Sequence, residues 1–272
     1  MKNSLTRVLT AAVGIPAVVV VAYLGGTLFA AVIAFTAILA QLEFYDLQNK
    51  VGWNPSRILG VILALVVILR YEISWNEPLL IGLALVTIAD LLRTGPDQTP
   101  VARFAGTLVG VVYPVWLFSY LTDIRLGLEG NLPSGQAFGT TMMLIALVWA
   151  ADSAAYYVGK AVGKRPLAPS LSPKKTWEGA YASVPGALIV AICFKVLWLS
   201  YLSWTDVVVF SLISGVWGQV GDLAESAFKR SAGVKDSASI LPGHGGMLDR
   251  IDSLIVVVPL YYLYLRFFMN VL

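Results

Sequence analysis

The sequence predicts an all-α integral membrane protein, a polytopic bundle of about nine transmembrane helices. Three observations predict it. Of 272 residues, 58% are hydrophobic and only 13% are charged, against about 25% charged in ordinary soluble domains. The mean hydropathy is +0.77, and the apolar residues run in windows of about 20, the length that crosses a hydrocarbon core as a helix. The 19 basic and 16 acidic side chains are unevenly spread and too few to cover a soluble surface. Disorder, coiled coil and collagen are excluded by the same figures, and the weak alternation of an outer-membrane barrel is not what the windows show.

The spans follow in order. Lys2 and Arg7 precede an apolar run over 8–24 in the manner of a signal peptide, but no small-residue cleavage site introduces a soluble domain, so the run is read as the first helix. Further spans are expected at 27–46, 57–72, 78–93, 104–122, 139–158, 180–200, 205–228 and 248–270. Gly25-Gly26, Asn54-Pro55, Glu77-Pro78, Gly95-Pro96 and Leu132-Pro133-Ser134-Gly135 punctuate them, with two long polar loops at 159–179 and 229–247. Five spans then make an N-terminal part, 1–138, and four make a C-terminal catalytic part, 139–272, that carries both loops. The single cysteine, Cys193, permits no intrachain disulfide and no thiolate zinc site, and is expected to be inert packing.

Nine spans sort the loops onto two sides. Arg70, Arg125, Lys195 and Arg266 fall on one side or at its span ends, and the other 15 of the 19 lysines and arginines fall on the side of the N-terminus. The positive-inside rule therefore puts the N-terminus and both long loops in the cytoplasm, and the C-terminus outside. Both loops then face the compartment that holds nucleotides.

The eighth span ends in Gly215-Val-Trp-Gly218-Gln-Val-Gly221-Asp222-Leu-Ala-Glu225-Ser226-Ala-Phe-Lys229-Arg230. Glycines three residues apart clear one helix edge for the close approach of a neighbouring backbone. Asp222 and Glu225 share a helix face at i and i+3, where acidic groups are costly and mark a polar cavity. The bland alternative is that Glu225 pairs with Lys229 one turn on and only finishes the helix.

The following loop reads Lys235-Asp236-Ser-Ala-Ser-Ile-Leu-Pro242-Gly243-His244-Gly245-Gly246-Met-Leu-Asp249-Arg250-Ile-Asp252. Glycines around one histidine suit a backbone nest whose N–H groups face an anion, and Asp249 and Asp252 again stand at i and i+3. Carboxylates among lysines and arginines, with no His/Cys cluster, suit a hard cation such as Mg²⁺ bound to phosphate. In the other loop, Ser172-Pro173-Lys174-Lys175-Thr176-Trp177-Glu178-Gly179 resembles a helix N-cap with proline at the first position, aiming free N–H groups and two lysines at one point as a second phosphate site. Asp152 lies inside the sixth span, where its cost again argues for function.

The 27 residues from Ser226 to Asp252 resemble the signature of the phosphatidate cytidylyltransferases, or CDP-diacylglycerol synthases, with no departure from it. The Ser172–Gly179 and Ala151-Asp152-Ser153 segments are similar to that family's as well. The resemblance implies a Mg²⁺-dependent enzyme, with one or two cations, that makes CDP-diacylglycerol and pyrophosphate from CTP and phosphatidate. It acts at the cytoplasmic face of a membrane, the inner membrane in a bacterium, as part of phospholipid biosynthesis. A homodimer is implied too, with membrane lipid around it and no nucleic-acid partner.

On side-chain type and this resemblance, Asp222 and Asp249 are expected to hold the metal, with Glu225 and Asp252 as further ligands. Lys229, Arg230, Lys235 and the 243–246 backbone would hold the β and γ phosphates of CTP, and Lys174 and Lys175, beside Ser172, the phosphatidate head. His244 would position a phosphate; Asp152, Asp236 and Arg250 would complete the substrate site. The nearest rival is a CTP-dependent polyprenol or dolichol kinase, and a cation or lipid transporter is a rival of another class. A transporter is expected to place its carboxylates near the bilayer midplane on broken helices, whereas these gather at one end.

Overall fold

The structure, a computed structural model, describes residues 2–70, 77–92, 99–238 and 245–272. The helices are α1 (Lys2–Leu24), α2 (Gly26–Lys50), α3 (Arg57–Ile68) and α4 (Glu77–Leu91), then α5 (Pro100–Asn131) and α6 (Ser134–Val162). A short hairpin of β1 (Pro166–Ala168) and β2 (Ser172–Thr176) follows, and then α7 (Trp177–Leu197), α8 (Trp204–Ser231) and α9 (Leu248–Phe267). Among the described residues, α2, α5, α6, α7 and α8 are long and apolar enough to cross a membrane by length and composition. The chain is a helical, multi-pass membrane protein. The break at Gly95-Pro96 lies outside the described residues.

The turn between α1 and α2 is made by Gly25 and Gly26 at φ +60° and +52°, which side-chain-bearing residues rarely adopt. Arg125 and Glu129 of α5, an ion pair of 2.6 Å, tie that turn down: Arg125 donates to the Ala22 carbonyl and Glu129 accepts the Gly26 N–H. Two long helices each contain one π-helical turn, Val112–Trp116 in α5 around Pro114 and Ile213–Trp217 in α8 around Gly215. Such a turn inserts a residue into the helix and rotates everything beyond it to a new face, and it recurs at functional sites.

The core is built from Phe29, Phe44 and Tyr45 of α2, Leu121 of α5, Leu144 of α6, Phe210 of α8 and Tyr261 of α9, all at most 2% exposed. Helix α7 packs along α6, and α9 packs against both α8 and α5. Only 17% of the most apolar window of α7 is buried inside the protein, so most of this helix is uncovered by the rest of the chain. Cys193, expected to be inert packing, is a free, exposed cysteine on this helix and is not part of the buried core.

The loop at 159–179 corrects another expectation. Ser172-Pro173 does not cap a helix; Ser172–Thr176 is a strand, antiparallel to β1. The helix begins four residues later with Thr176 as N-cap, its hydroxyl accepting the Gly179 N–H at 3.2 Å. Glu178 decides this, because its carboxylate accepts the backbone N–H groups of Lys164 and Arg165 and pairs with the Arg165 side chain. With Trp177 N–H on the Arg165 carbonyl at 2.9 Å, the end of α6 and the start of α7 are clamped together, and the residues between them close as a hairpin. Adjacent residues of a strand point to opposite faces, so Lys174 and Lys175 do not converge on one point.

Candidate active site

Helix α8 brings the glycine edge of its last turns against the start of α9. A Cβ on Gly221 would stand 2.6 Å from the Asp252 carbonyl oxygen and 3.0 Å from the Ser253 Cα, so only glycine lets the two backbones meet here. At Gly215 the same holds toward α7, where a Cβ would stand 2.7 Å from the Val184 nitrogen, and Ser183 donates to the Gly215 carbonyl at 2.8 Å. These approaches set α8 between α7 and α9.

The consequence is an acidic group. Asp222, Glu225 and Asp252 each offer a carboxylate oxygen, and these oxygens lie within 4.8 Å of one another. Glu225 is fully buried; its compensation is the ion pair with Lys229 one turn on, made through Oε2. The i+4 pairing foreseen as a mere helix ending therefore exists, but inside the protein. Asp152 of α6 lies within electrostatic reach of Asp222, Lys175 and Arg250. Three oxygen donors this close, one of them on a fully buried carboxylate, fit a hard divalent cation.

Basic groups close the site from two sides. Lys175 of β2 reaches Asp222 at 2.7 Å, which ties the hairpin to α8. Lys229, 8% exposed, bridges Glu225 and Asp249, with 2.6 Å to Asp249 Oδ1. Asp249 is not one of the three grouped acids. Its Oδ2 accepts the Ser237 N–H at 3.1 Å and the Gly246 N–H at 2.8 Å and lies 2.9 Å from the Ser237 hydroxyl, so it draws the loop after α8 together.

The other expected residues are placed as follows. Ser172 is half-buried on β2, and Lys174, Lys235, Asp236 and Arg250 are exposed. Arg230 is exposed and donates to the carbonyls of Leu171 and Val234, joining the hairpin to the loop. Gly245 takes φ +80°. Gly246 is buried, and its N–H is spent on Asp249. Gly243 and His244 lie outside the described residues.

Sequence reading missed Glu43. This residue of α2 is 2% exposed and accepts the N–H groups of Met247 at 2.7 Å and Leu248 at 2.8 Å, together with the Ser237 hydroxyl at 2.9 Å. The signal is present in the chain: an acid within an apolar span, the same mark that singles out Asp152.

A sequence profile described as the cytidylyltransferase family matches residues 5–268. The chain belongs to that family. Over 98% of its length it is 33% identical to a phosphatidate cytidylyltransferase of Synechocystis sp., with 98% of that protein covered. It is 34% identical to the chloroplastic phosphatidate cytidylyltransferase 5 of Arabidopsis thaliana, over 89% of this chain and 67% of that one. It is 41% identical to a phosphatidate cytidylyltransferase of Bacillus subtilis, over 59% of this chain and 57% of the relative. Within this cytidylyltransferase-family chain, the profile runs through both the carboxylate group on α8 and α9 and the buried Glu43 on α2.

Proposed function

We propose that this protein is a phosphatidate cytidylyltransferase, transferring CMP from CTP to phosphatidate to give CDP-diacylglycerol and pyrophosphate. One observation carries the reading into the structure: Asp222, Glu225 and Asp252 group their carboxylate oxygens within 4.8 Å beside Lys175 and Lys229.

In the reaction a phosphate oxygen of phosphatidate attacks the α-phosphorus of CTP, and the bond from that phosphorus to the pyrophosphate oxygen breaks, the electron pair leaving with pyrophosphate. The nucleophile is already an anion, so strong general-base help is not required. What limits the rate is bringing two polyanions together and stabilising charge as it shifts to the leaving group. Asp222, Glu225 and Asp252 would hold Mg²⁺, which when bound offsets charge on the phosphates. Lys229 is kept by Glu225 and Asp249 as a fixed cation at the floor of the site. Lys175 lies at its edge, where the phosphatidate head meets CTP, with Lys174 on the outer face of the same strand. His244 positions a phosphate.

The N-terminus and both long loops are assigned to the cytoplasm, and nine spans to the chain, on the support of the basic residues, 15 of 19 of which sort to one side. In a bacterium the membrane is the inner one. The acyl chains stay in the bilayer while the head enters between the helices.

Labelled CTP tests the reading. Purified protein with phosphatidate and Mg²⁺ is expected to move label from the α-phosphate into lipid and to release pyrophosphate. Transfer of the γ-phosphate instead would make it a lipid kinase and overturn the assignment.

A further inference from the structure

Glu43 joins the N-terminal half of the chain to the reacting half through contacts that no local sequence pattern announces. It stands on α2, some 200 residues before the segment it binds. Met247 is the N-cap and Leu248 the first residue of α9, and their N–H groups are among those a helix start leaves without partners. Glu43 takes both, one on each carboxylate oxygen, and its negative charge is favoured at that end of the helix dipole. Its Oε2 also accepts the Ser237 hydroxyl, which in turn lies 2.9 Å from Asp249 Oδ2. Asp249 then meets Lys229 through its other oxygen at 2.6 Å, and Lys229 meets Glu225.

The packing is specific to this arrangement. A Cβ at Gly246 would collide with both the Ser237 hydroxyl and the Glu43 carboxylate, so that glycine serves the approach of Glu43. The N–H groups of residues 246, 247 and 248 are all held by protein carboxylates.

We infer that Glu43 is a positioning residue for cytidylyl transfer: through Ser237 and the start of α9 it fixes the carboxylate of Asp249, and so the place of the Lys229 ammonium at the acidic group. This rests on the proposed activity. A glutamine in its place keeps the length but offers one acceptor oxygen and presents an NH₂ group to a backbone N–H. An alanine at 237 removes the bridging hydroxyl while leaving Glu43 on the helix.

The test compares wild type, E43Q, S237A and the double variant in detergent, with folding followed by thermal unfolding. Wild-type turnover in the same preparations reports on the proposed activity by itself; if it is absent, that reading fails, whereas active wild type with normal variants sinks only the role of Glu43. E43Q is expected to lose about 10- to 100-fold in kcat per folded protein, with KM for CTP and phosphatidate changed less than about threefold. The double variant should cost little more than the worse single one, because both act through Asp249. Turnover in E43Q within about twofold of wild type, losses that multiply in the double variant, or a loss matched by an equal loss of folded protein would overturn the inference.

Discussion

Lys175 of the hairpin stands 2.7 Å from Asp222 of α8, so two segments almost fifty residues apart share one ion pair at the acidic group. Its neighbour Lys174 points to the opposite face of the strand and is exposed. K175M is therefore expected to lower kcat/KM by about 100-fold or more, the scale of removing one donor from developing charge. K174M should cost less than about tenfold. Steady-state kinetics on the two variants in parallel checks this, and equal losses would contradict the opposed orientation.

Removing the divalent cation is expected to stop turnover, and Mg²⁺ to restore it. D222N, E225Q and D252N should each lower kcat by at least about 100-fold and weaken binding of Mn²⁺, followed by its electron paramagnetic resonance signal. Near-normal formation of CDP-lipid by D222N would remove the metal assignment.

Lys229 is the shared cation of two buried carboxylates. K229M leaves Glu225 without its counter-ion and Asp249 with only its contacts to Ser237 and Gly246, and breaking a buried ion pair from one side costs about 3–5 kcal/mol. Both stability and activity should fall, with the first seen as a lower Tm in detergent.

The glycine edge of α8 can be tested at two neighbouring positions. G221A places a methyl group 2.6 Å from the Asp252 carbonyl oxygen, whereas at Gly218 the nearest atoms are 3.8 Å away, an ordinary contact. G221A should lose about 1–3 kcal/mol of stability and most activity, because α9 must shift and carry Asp252 with it. G218A should behave as wild type.

The helix start at Trp177 gives a milder case. T176A removes the N-cap hydroxyl that holds the Gly179 N–H and is expected to cost about 1 kcal/mol. Thermal unfolding measures it.

Much of the site is legible in the order of the residues. Asp222, Glu225 and Asp252 stand out because acids are expensive within apolar helices, and i, i+3 spacing places two of them on one face whatever surrounds the helix. The glycines at 215, 218 and 221 announce a close approach for the same local reason. Ser172-Pro173 misleads because the same residues suit a helix start and a strand; the choice falls to Glu178, whose carboxylate binds the backbone at Lys164 and Arg165. The 243–246 glycines suggest a phosphate nest, yet the Gly246 N–H is committed to Asp249.

The sequence alone determined the helical membrane class, the position of the apolar segments and the residue types gathered near the end of α8. Those properties depend on hydropathy and on helix period, which are local. Tertiary structure decided which acids meet, that Lys229 lies between Glu225 and Asp249, and that Glu43 of α2 holds the start of α9. Contacts between helices depend on rotation and depth, and the π-helical turns in α5 and α8 alter both without a clear mark in composition.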